Sequence, residues 1–240
     1  MLSLIKSEFK KNGNGTQIYL SLAVLLAIQI ILMMIIINSF NLTGFGDLKT
    51  TEFRKSLLSF AGFSYLFTIF VGAIVGYYFI SKEYLNNTWE LLILGIKNKF
   101  QVVLSKFIVG IIIYIFYQIL SLTCFTFLVK TYFGDTIEWS FFMLILVANL
   151  SCNLLFYVIQ LSAHFLISNS MTAITFSLLL VILPIFLGNN FLFVNFIPLI
   201  SISYIVNSMA FSMVHFILLS MWTVLVSGFT VIGVSKYFRL

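Results

Sequence analysis

Long apolar runs separated by short polar segments dominate the pattern of hydrophobic and polar positions along this chain. Each run approaches or exceeds the roughly 17–25 residues that a helix needs to cross a bilayer, and none contains Asp, Glu, Lys or Arg. Transmembrane β-strands would instead give alternating segments of about ten residues. The pattern therefore predicts an all-α membrane protein with six transmembrane helices in one domain, 1–240. The predicted spans are residues 17–37, 57–80, 107–129, 141–167, 171–187 and 214–234.

The amino-acid composition agrees with a membrane protein. Hydrophobic residues occupy 61% of the 240 positions, charged residues occupy only 8%, and the mean hydropathy is +1.12. Soluble domains carry about 25% charged residues, so the composition excludes an ordinary soluble domain.

Positive charges are distributed unevenly among the segments that join the predicted spans. With the N-terminus inside, nine Lys or Arg residues fall in inner segments and four in outer ones. This asymmetry follows the positive-inside rule and predicts a multi-pass plasma-membrane protein with both termini in the cytoplasm. The net charge of +6 is therefore attributed to topology and not to nucleic-acid binding. The inner residues are Lys6, Lys10, Lys11, Lys82, Lys97, Lys99, Lys106, Lys236 and Arg239; the outer ones are Lys49, Arg54, Lys55 and Lys130.

Two segments outside the predicted spans have a distinctive pattern. Near the N-terminus, Leu2, Ile5 and Phe9 share a helical face with lysines beside it, which predicts an interfacial helix. Residues 188–213 contain no charge but are interrupted by Asn and Pro, so they form either a seventh span or a re-entrant helix pair. A seventh span would place the C-terminal charges outside, and the re-entrant pair before the last span is therefore favoured.

The sequence contains none of the motifs that usually carry catalysis, such as HExxH, GxSxG or a glycine-rich phosphate loop. The chain is therefore expected not to be an enzyme and to bind no cofactor or metal itself. His164 and His215 fall in different predicted spans without a carboxylate within a turn, which favours hydrogen-bonded or interfacial histidines. Ion-coupled transporters and membrane proteases need ionisable groups at bilayer depth, and the predicted spans lack them.

The polar residues within the predicted spans allow two interpretations. Asn149, Asn153 and Gln160 recur at spacings of four and seven, so they share one face of the fourth span. They either form hydrogen bonds between helices or line a path for a solute. Gly72 and Gly76 form a GxxxG motif, which is typical of close helix packing.

The polar segment between the second and third spans predicts a short, capped helix. Asn87 is placed to cap it, and Glu90 follows three residues later as in a capping box. Trp89, Leu92 and Ile96 recur at helical spacing and give it an apolar stripe. Such a helix is about 15 Å long at about 1.5 Å per residue, too short to cross a bilayer core of about 30 Å, so it lies at the membrane face.

This segment resembles the corresponding part of the type-2 ABC permeases. In that family an acidic residue precedes a Gly-Thr-x-Glu-x-Leu-Leu run, a turn with Pro and Arg follows, and a Lys heads the next helix. Here Glu83 precedes Asn87-Thr88-Trp89-Glu90-Leu91-Leu92, and Lys97 and Lys106 follow. The chain departs from the family where Asn87 replaces the Gly and where residues 95–100 lack Pro and Arg.

The resemblance implies a transmembrane subunit that does not hydrolyse ATP itself. Two six-span subunits, as a homodimer or heterodimer in the lipid bilayer, would work with two cytoplasmic ABC ATPase subunits that bind the ATP and Mg. The short helix would be the cytoplasmic coupling helix that docks on the ATPase, the alternative being a surface helix resting on lipid. The implied coupling residues are Glu83, Asn87, Thr88, Trp89, Glu90, Leu91, Leu92 and Ile96, with Trp89 and Leu92 as anchors.

The composition of the chain is similar to permeases that export antimicrobial or cytolytic peptides in Gram-positive bacteria, including the lantibiotic-immunity group. An amphipathic peptide is therefore the expected solute, with Asn149, Asn153 and Gln160 along its path. Small hydrophobic drugs or lipid-like solutes are the alternative for an ABC exporter. Outside the ABC class, the main alternative is a secondary transporter or channel, followed by a membrane enzyme and by a structural or immunity-type interaction protein.

Overall fold

The computed structural model of the protein describes residues 2–13, 16–41, 49–86, 88, 99–133, 139–187 and 213–237. Within these residues all regular structure is helical, as the apolar runs predict. The helices are α1 (Leu2–Gly13), α2 (Thr16–Asn41), α3 (Lys49–Gly76), α4 (Lys82–Leu85), α5 (Lys99–Phe133), α6 (Trp139–Leu166), α7 (Ser170–Leu187) and α8 (Met213–Tyr237), and a π-helical turn, Tyr77–Ser81, joins α3 to α4.

The predicted spans lie within this helical structure, except that the fourth ends one residue after the end of α6. By length and composition, three described segments are able to cross a membrane: Thr16–Ile35, Phe63–Leu85 and Lys99–Tyr132. Met221–Lys236 is a shorter apolar helix. The all-α membrane class is therefore confirmed for the described residues, and the full set of six spans stays a prediction.

Several helices continue beyond the apolar runs from which they were predicted. The predicted loop at 38–56 contains the last turn of α2 and the first two turns of α3, and α5 begins eight residues before its predicted span. Hydropathy falls where side chains reach water, whereas the backbone hydrogen bonds of a helix continue through that boundary. The apolar run therefore gives the buried length of a helix, not its full length.

One end of the bundle collects the lysines, and we call it the basic end. Ile18 of α2, Val103 of α5 and Val234 of α8 belong to one buried cluster there. The hydroxyl of Tyr84 donates a hydrogen bond to the backbone oxygen of Phe165, 3.1 Å away, which brings α4 to the end of α6. The lysines placed at this end by α1, α4, α5 and α8 are Lys6, Lys10, Lys11, Lys82, Lys99, Lys106 and Lys236.

The last two helices run in opposite directions. α7 starts at the basic end, where the backbone oxygen of Ala173 accepts a hydrogen bond from Gln160 at 3.0 Å. α8 returns to it, since Val231 and Val234 join the buried cluster there. The chain therefore leaves α7 and enters α8 at the end of the bundle opposite the basic end. A re-entrant pair enters and leaves the membrane on one side, so it requires this arrangement. Residues 188–212 lie outside the described residues, and the pair stays a prediction.

Helix α6 lies at the centre of the bundle and contacts α3 closely through the glycines of the GxxxG motif. A Cβ atom built on Gly72 would lie 3.1 Å from the Cβ of Gln160, and one on Gly76 would lie 2.2 Å from Cδ2 of His164. Contacts below 3.0 Å do not occur for real Cβ atoms. The predicted role of this motif in helix packing is confirmed.

Candidate functional site, a buried ion-pair cluster

Four charged side chains from three elements meet at the basic end. The ammonium group of Lys106 lies 3.0 Å from Oε2 of Glu8 and 2.9 Å from Oε1 of Glu83. Lys11 also forms an ion pair with Oε1 of Glu83. We call these four residues the ion-pair cluster, and they join α1, α4 and α5.

Burial makes this cluster unusual for so apolar a protein. The side chain of Lys106 is 0% exposed, and those of Glu8 and Glu83 are 7% and 5% exposed. Lys106 also donates a hydrogen bond to the backbone oxygen of Phe79 at 3.0 Å, so its three N–H groups have three acceptors. An ion pair withdrawn from water is tolerated only when its charges are balanced and bonded in this way.

The charges of the cluster balance, with two carboxylates against two ammonium groups. Lys11 is the member in contact with solvent, because its side chain is 48% exposed. Oε2 of Glu83 is buried without a hydrogen-bond partner among the described residues. The second oxygen of Glu83 is therefore the one polar atom of that side chain that the cluster does not satisfy.

The sequence identified half of this cluster. Glu83 and Lys106 were chosen through the family resemblance, and Lys11 was counted only as an inner positive charge. Glu8 was missed, although it is the lone acidic residue in the first sixteen and stands one helical turn after Ile5, which also packs against the bundle. An acidic residue between lysines, on the face of a helix that packs inward, is the sequence signal that indicates Glu8.

Six of the eight predicted coupling residues lie outside the described residues: Asn87, Trp89, Glu90, Leu91, Leu92 and Ile96. Helix α4 ends at Leu85, and Asn86 forms the turn that follows it. Thr88 is half-buried, and its hydroxyl donates to the backbone oxygen of Glu83 at 3.3 Å. The predicted coupling segment therefore begins directly beside the ion-pair cluster.

The predicted solute-path residues are buried on the face of α6 that packs against α3. The carboxamide oxygen of Asn149 accepts hydrogen bonds from the hydroxyl of Ser64 and from Asn153, the latter at 2.8 Å. Gln160 lies two turns further along, within 3.4 Å of the His164 ring. The structure thus brings Asn149 and Asn153 together and places Gln160 apart, and their role in a solute path stays a prediction.

His164 is an interior, hydrogen-bonded histidine, as the sequence favoured. Its Nδ1 lies 2.8 Å from the hydroxyl oxygen of Ser81, and its ring fills the space left by Gly76. Ser81 ends the π-helical turn, which shifts the register of the helix just before α4. Neither the turn nor the partnership with Ser81 could be read from the sequence.

A helical bundle with apolar outer faces and a buried ion-pair cluster at one end defines an integral membrane protein. The family model described as ABC-2 family transporter protein matches residues 4–188, more than three quarters of the chain, and the protein belongs to that family. It is therefore the membrane permease component of an ABC transporter, a class that associates with an ATPase subunit and is generally not catalytic itself. No match was found among curated proteins.

Proposed function

We propose that this permease is half of the membrane pathway of an exporter and that its ATPase drives it through the segment after α4. The observation that supports the proposal is the ion-pair cluster, which ties Glu83, just before that segment, to α1 and α5. A second six-helix permease subunit completes the pathway. The ATP and Mg belong to the ATPase subunits.

The cluster provides a physical route for the movement. A displacement applied after α4 acts on Glu83, which is held by Lys106 of α5, and Lys106 is held in turn by Glu8 of α1. Tyr84 extends the connection to the end of α6 through the oxygen of Phe165. Packed elements joined by buried ionic and hydrogen bonds move together as a rigid body. The basic end faces the cytoplasm in this proposal, because lysines remain on that side of a membrane.

Replacing both Trp89 and Leu92 with alanine is expected to abolish most coupling to the ATPase. Large apolar anchors at the centre of an interface contribute about 2 kcal/mol or more each, so the double variant should lose most ATPase binding. Co-purification of the ATPase and its stimulation by the permease, measured in nanodiscs, test this. Insertion and helix packing should be unchanged.

Leu2→Ala is the matched control, because Leu2 is an apolar residue at the same end of the bundle and is 84% exposed. It should leave both ATPase recovery and stimulation at the wild-type level. Full recovery and stimulation with the Trp89→Ala, Leu92→Ala variant would show that the segment after Glu83 is a surface helix resting on lipid.

We propose an amphipathic peptide as the exported solute. Predicted spans that lack charged residues but contain a few buried carboxamides, such as Asn149 and Asn153, suit a peptide with one apolar face better than a sugar polymer, which needs many hydrogen-bonding groups. This assignment supports an exporter that either secretes the producer's own antimicrobial peptide or protects the cell from it.

Deleting the gene is expected to reduce either the secretion of the cell's own amphipathic peptides or the survival of the cell in their presence. Complementation with the wild-type permease should restore both, and complementation with the Trp89→Ala, Leu92→Ala variant should restore neither. Unchanged secretion and survival together with a fall in drug efflux would replace the peptide with a small hydrophobic solute. Transport in vesicles that needs an ion gradient but no ATPase would contradict the ABC mechanism altogether.

A further inference from the structure

The π-helical turn Tyr77–Ser81 interrupts the helical path that leads from α3 into α4. The backbone N–H of Lys82 donates to the oxygen of Tyr77, five residues earlier instead of the four of an α-helix. Such a turn therefore contains one residue more than the α-helical turn that it replaces. The side chains that tie α4 to the bundle, Glu83 and Tyr84, follow within three residues, so the width of this turn sets the direction in which they point.

One side chain of α6 contacts both ends of this turn. The ring of His164 lies against Gly76, the residue before the turn, where an added Cβ would be 2.2 Å from Cδ2 of the ring. Nδ1 of the same ring is 2.8 Å from the hydroxyl oxygen of Ser81, the last residue of the turn. Both His164 and Ser81 are 0% exposed, so water does not compete for this hydrogen bond.

The neighbouring Gln160 decides which nitrogen of His164 carries the proton. The side-chain nitrogen of Gln160 donates to the backbone oxygen of Ala173 at 3.0 Å, and the opposite orientation would set two oxygens against each other. The same nitrogen is 3.4 Å from Nε2 of His164, so Nε2 is the accepting nitrogen of a neutral ring and the proton is on Nδ1. His164 therefore donates to the hydroxyl oxygen of Ser81, at the end of a chain of hydrogen bonds that starts at α7.

Lys106 holds the turn from a second side. Its ammonium group donates to the backbone oxygen of Phe79 within the turn, at 3.0 Å, and to Oε1 of Glu83 beyond it, at 2.9 Å. π-Helical turns are rare, since the α-helical turn is the usual backbone, and they often lie at functional sites. The bonds from His164 and Lys106 therefore stabilise the wide turn, and a displacement of α4 is able to break both.

We propose that the turn Tyr77–Ser81 is a register switch between this wide, π-helical form and a closed, α-helical form, with His164 as the residue that latches the wide form. The inference rests on the proposed function, in which the ATPase displaces the segment after α4. Closing the turn passes its extra residue into α4, and one residue corresponds to about 100° of rotation in an α-helix. The two forms are discrete, because the register of a helix changes only by whole residues.

The rotation exchanges the side chain that faces Lys106. Position 82 moves to the place that Glu83 occupied, and Glu83 turns away from Lys106, which keeps its bond to Glu8. Ser81 leaves Nδ1 of His164 in the same movement. The wide form therefore presents a carboxylate to Lys106 and the closed form presents Lys82, so the resting permease keeps the wide form until α4 is displaced.

Distances between spin labels at Leu85→Cys and Met171→Cys test the switch in nanodiscs, in a Cys124→Ser, Cys152→Ser background. Leu85 moves with α4 and is 59% exposed, whereas Met171, at the start of α7, is 72% exposed and lies at the same end of the bundle. A rotation of about 100° carries a side-chain tip about 6 Å from the helix axis through about 9 Å. The resting permease is expected to show one distance.

The first variant exchanges two neighbouring charges, Lys82→Glu with Glu83→Lys. In the wide form of this variant two ammonium groups would be buried side by side, whereas in the closed form Lys106 regains a carboxylate partner. A second distance is therefore expected to become the major one.

The second variant, Ser81→Ala, removes the acceptor of the latch and should raise the ratio of the second distance to the first about tenfold. Ser162→Ala is its matched control, because Ser162 is a buried serine of α6 that donates within its own helix, to the oxygen of Val158 at 2.7 Å. It should leave the ratio at the wild-type level. Deleting Tyr78, a half-buried residue of the turn, from Ser81→Ala should restore the first distance alone, because the turn then has no extra residue to release.

The first distance alone in the charge exchange would overturn the register switch, and if that variant fails to fold, the same result in Ser81→Ala overturns it. A second distance that persists after the deletion of Tyr78 would also overturn it. A second distance in the charge exchange but not in Ser81→Ala would keep the switch and remove His164 as its latch. No ATPase is present, so each result is separate from the outcome of the Trp89→Ala, Leu92→Ala experiment.

Discussion

Replacing Lys106 with methionine is expected to lower the free energy of unfolding by about 3–5 kcal/mol. The reason is that Lys106 bonds to both Glu8 and Glu83 in the ion-pair cluster. Its removal leaves two carboxylates in a site where both are almost completely buried. Unfolding in mixed micelles, followed by circular dichroism as denaturing detergent is added, measures the change.

Two comparisons separate this effect from the loss of a surface charge. Lys99 is an exposed lysine on the same helix, so Lys99→Met should change the free energy of unfolding by less than about 0.5 kcal/mol. Adding Glu8→Gln and Glu83→Gln to Lys106→Met should recover much of the loss, because the two buried negative charges are then removed together with the buried positive charge. If Lys106→Met and Lys99→Met are equally stable, the buried ion pairs do not hold this end of the bundle together.

Gly76→Ala is expected to destabilise the protein by about 1–3 kcal/mol through overpacking. The added Cβ would lie 2.2 Å from Cδ2 of His164, so α3 and α6 must separate or the ring must leave Ser81. Thermal unfolding in nanodiscs gives the size of the loss. The double variant Gly76→Ala, His164→Ala should lose less stability than the sum of the losses in the two single variants.

The control for this prediction is Gly228→Ala on α8. A Cβ at Gly228 meets no atom within 4 Å, and alanine favours a helix over glycine by up to about 1 kcal/mol. Gly228→Ala should therefore leave stability unchanged or raise it. A Gly76→Ala variant as stable as Gly228→Ala would contradict the close approach of α3 and α6.

The helices of this protein could be predicted from its sequence, whereas most of their contacts could not. A charge-free run long enough to span a bilayer has a single stable backbone conformation, so α2, α5 and α6 were predictable from their apolar runs alone. A helix that is apolar all round gives no periodic signal for the face that packs. Ser64, the partner of Asn149 and Asn153, therefore looked like any other serine in a span.

The candidate site was predictable only where a sequence pattern marked it. The resemblance around residues 83–106 identified Glu83 and Lys106, but nothing local indicates that Glu8 lies beside them. Glu8 and Lys106 are separated by 98 positions in the chain, and Lys106 and Glu83 by 23. Contacts at such separation depend on how three helices pack, which is a property of the assembled bundle.

The same separation has a consequence for how the protein is made. Glu8 and Glu83 leave the ribosome before Lys106, and neither acid has its main counter-charge until α5 has been synthesised. The N-terminal helix is therefore the first element translated, but it cannot complete its ion pairs until α5 has been made. Until this third long helix has been made, the two carboxylates lack the ammonium group of Lys106 that joins them, so the first half of the chain cannot close this end of the bundle by itself.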